Sequence, residues 1–361
     1  MKKLSLLILV ISIFIASCNN DMDKNKNSDK KAKNVILFIG DGMSITHLYA
    51  SMSVSETPLI IERFKYTGLQ KTYSVSDYIT DSGAAGTAIA NGKKTKNGHI
   101  GCDSLGNPFK SILKYAEDAD LSTGLVSTSS ILHATPAAFI ANNTDRNNYQ
   151  EIALDFLKTD IDIFIGGGKK DFENREDGLN LIDSLINSQY QVTTKIDNLN
   201  LTDYQKFAVF TAEKHNPEYR NGRGEMLPKA TEKAIEVLSQ NNNGFFMMIE
   251  GSQIDWGGHD NDIDYIIAEL LDFDRSVGKA LEFAEKDGET LIIVTSDHET
   301  GGLTLVGGNM NNKTIEVNFS TNYHTADMVP VFAYGPGAEK FSGIYENTDV
   351  FHKMMQALGL E

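Results

Sequence analysis

The sequence predicts an α/β fold, a three-layer α/β/α sandwich around a central, mostly parallel β-sheet, in one large domain spanning residues 34–361. Three observations predict it. Short, continuous apolar runs recur along the chain, helical patterns lie between several of them, and 41% hydrophobic content in 361 residues is enough to bury a large core. The strand candidates are NVILFI (34–39), TGLVST (123–128), DIFIGG (162–167), FFMMIE (245–250), TLIIVT (290–295) and VPVFAY (329–334). Each has a short continuous apolar stretch rather than an alternating one, as strands covered on both faces should. Helical spacing appears in EIALDFL (151–157), ATEKAIEVLSQ (230–240) and the long segment 263–288, which runs into the stop signal Asp287-Gly288. The region from about 170 to 225 is more polar and irregular and reads as a peripheral insertion. No internal repeat or domain boundary interrupts 34–361.

The first residues are a separate matter. MKKLSLLILVISIFIAS (1–17) has two lysines, an apolar run too short to span a membrane comfortably, and a small-residue end before Cys18, the pattern of a lipoprotein signal peptide. Cys18 would become the lipidated N-terminus, followed by a polar, repetitive tether (18–33) with no aromatic residue. The expected location is therefore outside the cytoplasm, lipid-anchored in a bacterial cell envelope, in the periplasm or on the outer membrane. Cleavage would remove Lys2 and Lys3 and shift the formal charge from -16 by two further negative units. Such an acidic chain, without a Lys/Arg cluster, excludes non-specific nucleic-acid binding. One internal thiol, Cys102, cannot form an intramolecular disulfide and reads as a buried bystander.

The stretch YITDSGAAGTAIANGKKTKNGHIG (78–101) places Ser82 where a turn enters a helix of small residues running to about Ala90. Gly83, Ala84, Ala85 and Gly86 leave backbone amides accessible beside Ser82, and the positive helix end favours an anion such as phosphate. Alone, that string also describes an ordinary cap on a closely packed helix. Carboxylates and histidines at the C-terminal ends of predicted strands, where open α/β sheets hold their sites, favour chemistry. NVILFIGDG delivers Asp41; FFMMIEGSQIDWGGH delivers Glu250, Asp255 and His259; TLIIVTSDHETGG delivers Asp297 and His298. Asp255 and His259, four apart, share a face on a helical turn and could grip one ion. Asp297 and His298 could share one only on a bend, which Gly301 and Gly302 would allow. His324 lies in the loop before VPVFAYGPG.

Taken in order, FIGDGM, TDSGAAGTA, STSSILHATPAA, EGSQIDWGGH, SDHETGG and PVFAYGPG resemble the alkaline phosphatase family, and within it the short bacterial forms, through almost all of 34–361. The resemblance implies an alkaline phosphatase-like fold and metal-dependent hydrolysis of small phosphate monoesters through a phosphoserine at Ser82. It implies a first Zn2+ on Asp255, His259 and His324, and a second on Asp41, Asp297 and His298. Asp41 would bridge to a Mg2+ site completed by Thr135 and Glu250. Arg146, in NNTDRNNY, would hold two phosphoryl oxygens. Family members are commonly homodimers, so the resemblance makes a homodimer possible, although the sequence itself shows no interface.

Two positions depart from the best-known bacterial pattern. His133 stands where some members have Asp, and is expected beside the third ion rather than on it, since magnesium prefers hard oxygen donors. Trp256 stands where some have Lys; it has two readings, aromatic packing on a neighbouring loop or a contact to substrate or water through its ring N–H. Only 25 residues separate His298 from His324, which predicts an open, substrate-tolerant entrance and a scavenging enzyme. A phosphodiesterase of the same superfamily would not need Arg146, and a sulfatase would need a C/S-x-P-x-R context that Ser82-Gly83-Ala84-Ala85 lacks. A non-catalytic binding protein should have lost Ser82 or a ligand, and none is lost.

Overall fold

The computed structural model describes residues 31–202 and 205–361. The signal segment, Cys18 and the tether up to residue 30 lie outside the described residues. The strands, in chain order, are β1 (Asn34–Gly40), β2 (Tyr66–Lys71), β3 (Ser122–Ser130), β4 (Ile163–Gly167), β5 (Tyr190–Thr193), β6 (Lys206–Phe210) and β7 (Phe245–Gly251), then β8 (Thr290–Thr295), β9 (Glu299–Thr300), β10 (Leu303–Asn309), β11 (Thr314–Phe319), β12 (His324–Thr325), β13 (Val329–Tyr334) and β14 (Gly343–Glu346). Among the described residues, ten of them form the central sheet in the order β14-β2-β13-β8-β1-β7-β3-β4-β6-β5. The pairings are parallel except those of β13, which runs antiparallel to β8 and β2.

All six predicted strands lie in this sheet, four of them at its centre as β8, β1, β7 and β3. Successive residues of β1 feed opposite cores: Val35, Leu37 and Ile39 join one hydrophobic cluster, Ile36 and Phe38 the other. Such double-sided burial leaves no polar face, hence the unbroken apolar run. Each fully buried large aliphatic or aromatic side chain contributes about 1.5–3 kcal/mol, and Phe38, Phe164 and Phe246 are wholly enclosed. The Ile263–Asp287 helix covers one face. Asp262 accepts from the Tyr265 amide at 3.0 Å to start it, and Gly288, with φ +68°, ends it at the predicted stop.

The region from 170 to 225 is more than a peripheral insertion: it supplies β5 and β6, which complete one sheet edge. Both strands are short; β5 is only half buried and lacks the apolar signature of the centre, whereas β6 carries a brief buried apolar run, Phe207 to Phe210, that the sequence reading passed over. The opposite edge, β2 and β14, was equally silent in the sequence; there Gly68 lets the chain pass, since a Cβ would lie 2.2 Å from the Phe341 carbonyl oxygen. The insertion is fastened to the long helix by buried ion pairs: Arg223 donates to Glu269 Oε1 at 3.1 Å and to Asp272 Oδ2 at 2.9 Å. Cys102 is buried and its thiol donates to the Asn143 carbonyl, as a bystander should. Among the described residues, no helix is long and apolar enough to cross a membrane.

Candidate active site

The loops after β1, β7 and β8 meet at the C-terminal edge of the sheet. Asp41 follows β1, Glu250 is the second-last residue of β7, and the short Gln253–His259 helix carries Asp255 and His259 on one face. Beyond β8 the chain bends at Asp297, and Gly301 and Gly302 (φ +95° and +58°) make a second turn after β9. β12 pairs with β9 and returns His324 to the same place.

Three groups result, each with ligand-type atoms within 4.8 Å of one another: Asp255, His259 and His324; Asp41, Asp297 and His298; and Asp41, His133 and Glu250. In the first group the ring protons can be placed. His259 Nδ1 lies 2.8 Å from the Asn322 carbonyl and His324 Nδ1 2.8 Å from that of Thr80. A carbonyl only accepts, so both rings donate through Nδ1 and turn their Nε2 atoms inward. These nitrogens sit 3.3 Å apart, and 3.4 and 3.6 Å from Asp255 Oδ1. Lone pairs converging on a carboxylate call for a shared cation. Buried polar atoms without a partner cluster in the other two groups: Asp41 Oδ1, Asp297 Oδ2, Glu250 Oε1 and His133 Nδ1. The donor sets thus fit divalent ions: the two imidazoles and one carboxylate of the first group and the imidazole and two carboxylates of the second suit zinc, and Asp41, Thr135 and Glu250 offer the hard oxygens that magnesium takes.

The electrostatics carry the same message. Burial, then the neighbouring Asp297 and Asp255 charges, raises Asp41 well above the carboxylate range, and burial also raises Glu250. Burial pushes Asp255 upward, but the bond to His259 and the surrounding imidazoles outweigh it and hold the group well below that range. Burial lowers His298 far below its ordinary value and His133 to about 3. Glu250 is oriented by the Ser127 and Ser252 hydroxyls, each donating to Oε2 at 2.6 Å. Thr135 donates to Asp41 Oδ2 at 3.4 Å.

In metal-free protein, the bond to Asp255 raises His259 to about 9, while burial and the Asp255 charge raise Asp297 to about 7. An ion bound there must displace those protons. The loaded state therefore carries fewer protons, so apparent zinc affinity should rise as pH increases through this range. Competition against a chelator at about pH 6 and about pH 9 checks it; equal affinities would contradict the ligand set.

Ser82 is the first residue of the Ser82–Asn91 helix, and the capping residue is Asp81. Asp81 accepts from the Ala84 and Gly98 amides, both at 2.9 Å, and from Arg146 Nη1 at 3.0 Å. Because Asp81 caps, the Ser82 hydroxyl is released from that duty and lies 3.2 Å from His298 Nε2. The small residues have a packing reason as well: a Cβ on Gly86 would lie 3.2 Å from Ala138 Cβ. Arg146 is held over this helix start by its own amide, which donates to the Gly98 carbonyl at 2.8 Å.

The structure therefore brings Ser82, Arg146 and all eight predicted ligand residues to one sheet edge. His133 stands closer to the third group than the sequence suggested, with a ring nitrogen among its ligand-type atoms. Trp256 packs edge-on against His215 (5.0 Å) and His133 (6.3 Å). Sequence reasoning passed over five participants: Asp81, His215, Thr300, Ser127 and Ser252. For Asp81 a signal existed, an aspartate directly before a small-residue helix; the others are visible only in space. The residues between His298 and His324 go into the β10–β11 hairpin, which packs on the Ile45–Val54 helix.

With this geometry in place, comparison with known proteins is informative. The family model described as alkaline phosphatase matches residues 32–314 and 307–360. Alkaline phosphatase 4 of Bacillus subtilis (strain 168) is 36% identical over 90% of this chain and 88% of its own length. Alkaline phosphatase of Escherichia coli (strain K12) is 32% identical, covering 92% of this chain and 88% of its own. The solved alkaline phosphatase from the Antarctic bacterium TAB5 superposes with a TM-score of 0.88 at 42% identity, covering 91% of this chain and 98% of that one.

Proposed function

We propose, on the premise that this chain belongs to the alkaline phosphatase family and hydrolyses phosphate monoesters, that Ser82 is its nucleophile and that the three groups hold two zinc ions and one magnesium. Asp255, His259 and His324 would hold one zinc; Asp41, Asp297 and His298 the other; Asp41, Thr135 and Glu250 the magnesium, with His133 beside it. The oxygen donors of Asp41, Thr135 and Glu250 support magnesium as the third ion. When bound, the ions lower the pKa of a coordinated hydroxyl and neutralise charge on the reacting oxygens.

The observation that carries the reading is the Ser82 hydroxyl, free of capping and 3.2 Å from His298 Nε2, beside Arg146. Ser82 Oγ attacks phosphorus; the ester P–O bond breaks and the alcohol leaves with a proton. Water then cleaves the phosphoserine, returning the hydroxyl to Ser82 and releasing inorganic phosphate. Arg146 presents its planar fork to two phosphoryl oxygens, and Asp81 aims it there. The positive end of the Ser82–Asn91 helix favours the same anion. Lipid attachment at Cys18, an envelope location and a homodimer complete the proposal, on the strength of the leader's composition and the family resemblance.

Hydrolysis of an aryl phosphate monoester beside the matching diester tests it, with zinc and magnesium supplied. Monoester should be strongly preferred, and Arg146→Ala should lower kcat/KM for monoester by roughly 30- to 150-fold, the worth of a two-pronged charge-assisted contact of about 2–3 kcal/mol. An Arg146→Ala enzyme that keeps its monoester rate, or a wild type that prefers diester, would contradict the assignment.

A further inference from the structure

We infer that Thr300 is a positioning residue that couples the two zinc sites, its single hydroxyl proton orienting Asp255 in one and selecting the tautomer of His298 in the other. The inference rests on the metal assignment proposed above. Thr300 is wholly buried in β9 and contacts a ligand residue of each site. Its amide donates to the Gly42 carbonyl at 3.1 Å, beside Asp41, and its backbone is in register with His324. Its hydroxyl donates to Asp255 Oδ1 at 2.5 Å and lies 3.3 Å from His298 Nδ1.

The direction of these bonds follows from proton counting. A threonine hydroxyl has one hydrogen, and a ligating carboxylate can only accept, so that hydrogen belongs to Asp255. Toward His298 the hydroxyl can then only accept. His298 Nδ1 must therefore carry a hydrogen, which leaves Nε2 bare. Nε2 is the atom that lies 3.2 Å from Ser82 Oγ, 3.3 Å from Asp297 Oδ2 and 3.5 Å from Asp41 Oδ1. His259 and His324 have the same tautomer set by backbone carbonyls. His298, alone of the three, depends on a side chain for it, and through that side chain on the carboxylate of the other site. Position 42 makes room for the junction: a Cβ there would lie 2.7 Å from Thr300 Oγ1 and 2.8 Å from Asp255 Cα.

The test is zinc transfer from the loaded full-length protein to a competing chelator, read as two dissociation constants. Thr300→Val, which exchanges the hydroxyl for a methyl group, should weaken both by about 10- to 100-fold, the usual cost of losing a partner behind a metal ligand. Thr300→Ser should restore both. Wild-type affinity at both sites in Thr300→Val, or weakening at one site only, would overturn the coupling. A wild type that holds no zinc would overturn the metal assignment and this inference together, whereas a wild type with two zinc ions and an unaffected Thr300→Val would overturn this inference alone. Imidazole 15N spectra of the loaded wild type give a check that needs no variant. A protonated His298 Nδ1 is expected, and a bare one would refute the relay.

Discussion

Replacing Ser82 by alanine should lower kcat by at least about 10³-fold and abolish phosphate labelling of the protein on acid quench, with fold and metal content unchanged. The separation of chemistry from structure follows from the local geometry. Asp81, not Ser82, caps the helix, and the helix continues through Gly83, Ala84 and Ala85, so alanine at position 82 removes no capping bond and suits the helix start. The Ser82 hydroxyl has one side-chain neighbour of note, His298 Nε2. Thermal stability of Ser82→Ala should therefore stay close to that of the parent. Near-normal turnover in this variant would rule out the covalent route.

Exhaustive chelation should abolish activity and markedly destabilise the protein, both reversed by zinc with magnesium. Asp41, Glu250, Asp255 and Asp297 are all buried and lie at one sheet edge. Ionised, they sum to about minus four and repel a phosphate dianion; three divalent ions turn the total to about plus two. The rate loss should exceed the roughly 10²- to 10³-fold that one electrostatic donor is worth, because attraction for the substrate and activation of Ser82 vanish together. Stability follows by linkage. An ion present at about 1,000 times its dissociation constant stabilises the folded state by about 4 kcal/mol, so removing one should lower Tm on the order of 10 °C. Calorimetry before and after chelation measures it. An unchanged Tm would mean that the clustered carboxylates are satisfied without cations.

Much of this was legible beforehand, for physical reasons that differ by element. β1, β7 and β8 are buried on both faces, so their apolar runs announced them, and the ligands directly after them were read from position alone. β5 and β14 are the two edge strands and β2 lies next to β14; all three have partly exposed, mixed faces, which leave no one-dimensional signature. Within the site, residue type and position marked Ser82, Asp41, Glu250, Asp255, His259, Asp297 and His298 as candidates, whereas their grouping and the roles of Thr135 and Arg146 came from the family resemblance. Thr300, His215, Ser127 and Ser252 act by touching other side chains, and threonine, serine and histidine are common enough to mean nothing until their neighbours are known.

The sequence by itself determined the fold class, the order of the central strands' ligands, the nucleophile candidate and its helix, because each depends on local pattern: burial period, a stop residue, a motif at a strand end. Tertiary structure alone decided that a His133 ring nitrogen joins Asp41 and Glu250, that Asp81 frees Ser82 by taking the cap, and that one threonine hydroxyl stands between Asp255 and His298. Those are relations between segments up to some 250 positions apart, such as Gly42 and Asp297. They exist only once the sheet has brought its strand ends to a common edge.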